Sequence, residues 1–227
     1  MTLHALKISA TASLFIMAAG AAAPAFAASG DLLIKAAGNY NVRAGNASVD
    51  FNIDGIGISA KPANDIGAQV SMALFLTDTI ALEGVLGGGK LAFKSADGRS
   101  VMEGGTVIPA VGLQFYPAGS DKRLRPFIGA GAAYYKFYNV DPGEVLSNRP
   151  TTPSMPQHND RITMDSKIVP VVHAGLDVAV SSSAFLTLEG RYAAATTKVN
   201  LATATLTTTR PIKIENIAIS LGAGFRF

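Results

Sequence analysis

The sequence predicts an all-β fold, an eight-stranded antiparallel transmembrane β-barrel with short periplasmic turns and long extracellular loops. Three observations point there. The chain opens with a cleavable export signal, its later apolar residues are spread by alternation rather than gathered in one block, and it closes on Gly222, Ala223, Gly224, Phe225, Arg226, Phe227. A barrel strand meets lipid on one face and the lumen on the other, so a period of two ending on an aromatic is the expected pattern.

The signal comes first. Lys7 provides the positive start, Ile8 to Ala23 form a short Ala-rich apolar stretch, and Ala25-Phe26-Ala27 is a small-x-small cleavage site. Residues 1–27 are therefore set aside, and 28–227 form a single outer-membrane barrel domain. The composition is 48% hydrophobic, yet no stretch beyond the signal has the ~18 continuous apolar residues that a membrane helix requires. The net charge of +3 includes Lys7 and leaves no basic stripe of the kind nucleic-acid binders carry, so no nucleic-acid partner is expected. Cysteine is absent, which excludes disulfides and thiolate metal sites in an exported chain.

Strand one, over 32–40, sets Leu32, Ile34, Ala36 and Tyr40 against Lys35 and Asn39. Strand two, 66–76, has the cleanest alternation, with Ala68, Val70, Met72, Leu74 and Leu76 opposed to Gly67, Gln69, Ser71, Ala73 and Phe75. Strand three, 79–89, turns Ile80, Leu82 and Leu86 outward with Glu83 and Val85 inward. Strand four, 107–116, turns Val107, Val111, Leu113 and Phe115 outward. Strand five, 125–138, exposes Ile128, Ala130, Ala132 and Tyr134, and strand six, 167–180, exposes Ile168, Val172, Leu176 and Val178 with His173 and Asp177 inside. Strand seven, 185–192, is the shortest, with Leu186, Leu188 and Tyr192 outward and Glu189 and Arg191 inward. Strand eight, 212–227, gives Ile217, Ile219, Leu221, Phe225 and Phe227 to lipid. Pro109, Pro126 and Pro170 lie inside strands, where a missing ladder donor predicts local bulges.

The connections alternate in length, which puts both termini on the periplasmic side. Long external loops are expected over 42–65, 90–106, 139–166 and 196–211. Tyr40, Tyr134, Tyr138 and Tyr192 fall where amphipathic rings suit one membrane interface, and Phe115, Phe225 and Phe227 near the other. Lys136 lies on the lipid face near the external end of strand five, with a stem long enough to reach headgroups.

Several of these segments carry a resemblance. Phe75-Leu76-Thr77-Asp78, Leu113-Gln114-Phe115-Tyr116, the run Arg125-Pro126-Phe127-Ile128-Gly129-Ala130-Gly131 with Tyr134, Gly175-Leu176-Asp177, Arg191-Tyr192 and Gly224-Phe225-Arg226-Phe227 together resemble the OmpW family across nearly the whole mature chain. The resemblance implies an eight-stranded barrel in the outer membrane of a Gram-negative bacterium, non-enzymatic, with a narrow lumen suggested to admit small hydrophobic molecules. The chain departs from the family pattern in lacking tryptophan, in its Ala-rich strands, and in a long third loop with Pro142, Pro150, Pro153 and Pro156. Phe225 and Phe227 are expected to act as the assembly signal through which the C-terminal strand meets the barrel-assembly machinery.

Strand position divides the inward residues into two groups. Lys35, Glu83, Asp177, Glu189, Arg191 and Arg226 lie near periplasmic strand ends and are expected to form one ionic floor, since paired charges are tolerated in a narrow bore. Above them Val85, Ile108, Ala110, Tyr135, Phe137, Val169, Val171, Ile212 and Ile214 describe an apolar cup able to hold an alkyl or aromatic solute. Such a solute would leave through the floor or sideways between strands.

Catalysis finds little support. His4 leaves with the signal, His158 sits in the third loop, and His173 is separated along its strand from Asp177 by about 13 Å. Gly87-Gly88-Gly89 has neither the strand-to-helix setting nor the Lys-Ser/Thr of a phosphate loop. No metal-ligand spacing appears, so no cofactor and no metal are expected. The reading is a narrow passive conduit for small hydrophobic molecules, with outer-membrane lipid as its surroundings. The rival is a structural or adhesive barrel whose external loops bind host factors, phage or toxins.

Overall fold

The structure, a computed structural model, describes residues 30–44, 48–53, 56–119, 122–148, 160–203 and 207–227. The signal segment, His158 and the loop prolines Pro150, Pro153 and Pro156 lie outside these. Among the described residues the elements are β1 (Leu32–Ala44), β2 (Val49–Ile53), β3 (Ile56–Pro62), β4 (Asp65–Phe75), β5 (Ile80–Lys94), β6 (Ser100–Phe115), β7 (Leu124–Pro142), α1 (Glu144–Ser147), β8 (Arg161–Met164), β9 (Lys167–Ala179), β10 (Ala184–Ala202) and β11 (Thr207–Arg226). No helix among them is long and apolar enough to cross a membrane.

Eight strands close a ring in which each pairs antiparallel with two neighbours, in the order β1, β4, β5, β6, β7, β9, β10, β11 and back to β1. The closing pair runs from Leu33 against Arg226 to Ala44 against Glu215. A ring has no open edge, so every strand's backbone groups are paired inside the membrane. The faces assigned from alternation hold in all eight: Lys35, Asn39, Gln69, Glu83, His173, Asp177 and Glu189 are buried inside, while Val70, Leu86, Val111, Ile128, Val172, Leu188 and Leu221 are exposed outside.

Three of the expected external loops are mostly strand, and the one over 42–65 holds β2 and β3. β5 and β6 run on to a tight turn over 95–99, and β10 pairs with β11 as far as Ala202 against Thr207. The seventh barrel strand, β10, is accordingly 19 residues long and not the shortest. The physical reason is an inversion of pattern. Within the membrane the outer face is apolar, whereas beyond it Lys90, Lys198 and Lys213 face water and Leu91, Phe93, Val199, Leu201, Ile212 and Ile214 turn inward. A search for lipid-facing alternation ends where the solvent changes. Around these inner residues β2, β3, β8 and α1 pack Val49, Phe51, Ile58, Leu146, Ile162 and Met164 into one external apolar core.

The prolines also differ from expectation. Pro109, Pro126 and Pro170 all face outward, and their ladders keep register: Leu86 opposes Pro109, Pro126 opposes Leu176, and Ala132 opposes Pro170. The β6–β7 ladder omits Ile108 and Pro109 and resumes without a shift, so the missing donor costs only a local bond. Register shifts fall instead at Phe93/Lys94 and between Glu103 and Gly105, where β7 carries Asn139 at φ 48. Asparagine tolerates that left-handed conformation better than most side chains, which suits it to the bulge.

Candidate functional site

The barrel interior is stacked in layers. At the periplasmic end Leu33, Phe75, Phe127, Phe185 and Tyr116 form a closed apolar cluster, with the Phe75 and Tyr116 ring centroids 5.0 Å apart. Directly above it lies an ionic layer in two linked groups. Lys35 Nζ bonds Asp177 Oδ2 at 3.0 Å and stands 4.4 Å from the Phe127 ring centroid, a cation–π position. The Tyr116 hydroxyl donates to Gln114 Oε1 at 2.9 Å, and Gln114 Nε2 donates to Glu83 Oε1 at 2.8 Å, which ties this pair to the second group.

In the second group the Arg191 guanidinium lies 2.7 Å from Glu189 and 3.2 Å from Glu83. The His173 ring is wedged between the same two carboxylates, with Nδ1 3.3 Å from Glu189 and Nε2 3.4 Å from Glu83. Gly129 gives that ring its room, because a Cβ there would come within 2.0 Å of His173 Nε2. Glu83, His173 and Glu189 have the donor set for a cation. The guanidinium already supplies positive charge between the carboxylates, so the arrangement is self-neutralising.

Five of the six floor residues thus meet in this layer. Arg226 does not. Its guanidinium pairs at 2.8 Å with Asp31, at the periplasmic rim. Arg125, Tyr116, Gln114 and His173 complete the layer and were not among the predicted floor residues; Arg125 stands over the Phe185 ring at 4.7 Å. The signal for Arg125 was present in the alternation of its strand, which puts it on the same face as Phe127.

The nine cup residues do not surround one open space. Tyr135, Val169 and Val171 pack with Ala133, Ala193 and Ala195, and Ile108, Ala110 and Phe137 lean on them. Ile212 and Ile214 belong to the external core. What remains between the core and the ionic layer is a chamber of about 40 Å³, lined by Val85, Ile108, Ala110, Tyr135 and Val171 but also by Asn39, Asn41, Arg43, Gln69 and Asn216. That volume suits a few waters, not an alkyl chain. Asn39 Oδ1, Asn216 Oδ1 and Arg43 Nε are buried on its walls without a protein partner, two acceptors and one donor of the sort internal water satisfies. Asn41 and Arg43 lie beyond the expected end of the first strand at Tyr40, and Asn216 is a single amide on the inward face of β11 between Ile214 and Arg226, with no charge or apolar run to mark it.

On the other side of the wall lies a second feature. Gln69, Gly87 and Gly88 line the chamber and also an outward groove of about 310 Å³ completed by Ala68, Val70, Leu86 and Val107. With no side chain at Gly87 or Gly88, the wall there is little more than backbone. The groove continues into a larger external one of about 1110 Å³ through the shared residues Ala68, Gly88 and Val107, reaching Lys90, Tyr138 and Pro142.

A family model described as the OmpW family matches residues 28–227. The chain belongs to the OmpW family. It is a β-barrel of the outer membrane of a Gram-negative bacterium, embedded in lipid, as the family resemblance implied. Its fold is shared with the outer membrane protein OprG of Pseudomonas aeruginosa, at 16% identity and a TM-score of 0.69 over 89% of this chain and 98% of that one. The outer membrane protein AlkL is similar at 21% identity and TM-score 0.66, covering 91% of this chain and 94% of that one. Outer membrane protein W of E. coli matches at 14% identity and TM-score 0.54, over 88% and 99% of the two chains. A comparison with curated proteins found no match.

Proposed function

We propose that this OmpW-family barrel is a non-enzymatic passive conduit for small hydrophobic molecules, and that they travel along the β4–β6 wall rather than down the bore. The observation that carries the reading is the contrast between the two routes. The bore is closed by the external apolar core, the charged layer and the periplasmic aromatic cluster. The wall offers a continuous external groove that ends among Ala68, Val70, Leu86 and Val107 at the membrane. An apolar solute moving along it passes Lys90, Glu103, Asp141 and Glu144 while they stay exposed to water, whereas the luminal route would have to cross the buried ion pairs at a cost of several kcal/mol per ion. The extended strands carry the path from outside the membrane to the bilayer.

The rival reading needs external loops free to engage a partner. Within the 139–166 segment Leu146 and Ile162 are buried in the external core, so its described part packs inward. The C-terminal strand with Phe225 and Phe227 exposed at the rim is the segment we assign to the barrel-assembly machinery.

The test is flux of a small hydrophobic dye into vesicles holding the refolded protein, compared with empty vesicles and with a small sugar. Selective acceleration of the dye, slowed by Val107→Trp, is the expected result. Acceleration of neither compound removes transport, and equal acceleration means a water-filled pore.

A further inference from the structure

The register of β4 to β7 builds more than an apolar groove. Its floor is one outward row, Ala68 against Gly88, then Val107, then Lys136. The row below is Val70, Leu86 and Pro109, and the row above sets Lys90 against Gly105 and Gly105 against Tyr138. The Tyr138 ring lies over Gly105, since a Cβ on that glycine would fall 2.3 Å from Tyr138 Cζ. A shallow apolar trough therefore ends toward the outside between an aromatic ring and two lysines. Lys90 and Lys136 are both exposed, one strand on either side of β6 and two residues apart in register, so their backbones stand about 12 Å apart and their ammonium groups can meet on one anion. Glu103 and Asp141 oppose each other further out, beyond the β7 bulge, and face water above the lysines.

We infer that this trough is a binding site for a single-chain anionic amphiphile, a long-chain carboxylate arriving from outside, with its chain along Ala68, Gly88, Leu86 and Val107 and its head between Lys90 and Lys136. The charge complementarity sets the class, and the single narrow trough, open to the external groove, favours one chain over a two-chain bilayer lipid. The inference deepens the wall-route reading and rests on it for the purpose of the groove.

The chain has no tryptophan, so an introduced one reports alone. Leu86→Trp places an indole at the lower edge of the trough, and Leu188→Trp on β10 places one on the far side of the ring. Each variant in zwitterionic bilayers at mildly alkaline pH is titrated with dibromostearate, its methyl ester, or a brominated anionic phospholipid. Dibromostearate should quench the Leu86→Trp indole at about fivefold lower concentration than the ester, a factor of the size one or two interfacial lysines supply. Lys90→Gln with Lys136→Gln should abolish that preference while quenching by the ester persists. Equal quenching by acid and ester, the same preference at Leu188→Trp, or a preference that survives the double Gln change overturns the site. A phospholipid that quenches more strongly than dibromostearate overturns the single-chain assignment. Binding is measured here at equilibrium, so a site that holds the acid in a barrel that speeds no dye flux would overturn the conduit and leave the site standing.

Discussion

Lys35 Nζ lies 3.0 Å from Asp177 Oδ2, and both side chains are sealed from solvent although they come from strands separated by β11 and β10 in the ring. A buried pair of this kind is costly to break and cheap to replace whole. Lys35→Met should lower the unfolding free energy in bilayers by about 3–5 kcal/mol, because Asp177 loses its ion pair and is left with the field of Arg125 opposite it. The double variant Lys35→Met/Asp177→Leu should recover most of that loss. Urea unfolding followed by gel mobility measures both.

Gly129 faces the His173 ring across the β7–β9 ladder. Gly129→Ala should destabilise by about 1–3 kcal/mol through overpacking, and adding His173→Ala should relieve it. Additive losses in the double variant would show that the ring is not what the new methyl meets.

The chamber and the wall can be separated by substitution. Asn39→Leu with Asn216→Leu fills the hydrogen-bonding chamber with apolar side chains and should leave dye flux unchanged. Val107→Trp, on the outer face, should reduce flux at unchanged stability. The opposite pair of results would move the route into the bore.

Phe51 and Leu146 seal the external core. Phe51→Asp buries an unpaired carboxylate there and should make the external extensions protease-sensitive. The membrane ring, held by its own ladders, should still migrate as a folded barrel on unheated gels.

The turn between β5 and β6 makes a pH prediction. The Ser95 hydroxyl and then the Arg99 guanidinium hold the Asp97 carboxyl down to about 2 from 3.8. A depressed carboxylate favours the folded turn above its unfolded value and loses that advantage as pH falls, so the turn should be insensitive to pH from 8 to about 4 and loosen toward pH 2. Carbon NMR of the labelled carboxyl follows it directly.

Much of this molecule is written in alternation. From Leu32 to Tyr40 and from Ala68 to Phe75, each residue's face follows from parity, because a barrel strand has two solvents and a period of two. That sufficed to place Lys35, Glu83, Asp177, Glu189 and Arg191 inside. It did not separate Arg226, since parity carries no information on height, and the pairing with Asp31 depends on where β1 and β11 end together. It also hid the strand extensions through Leu91 and Leu201, where the outer solvent is water and the apolar face reverses.

The sequence by itself determined the number of membrane strands, their faces and the inward side of Lys35, Glu83, Asp177, Glu189 and Arg191, all properties of one strand read against its own period. Only the tertiary structure decided that the cup is filled, that a polar chamber separates two apolar seals, and that Ala68, Gly88, Val107, Lys90 and Lys136 share one stretch of wall. Those depend on the register between strands distant in sequence, which ring closure sets and no single strand contains.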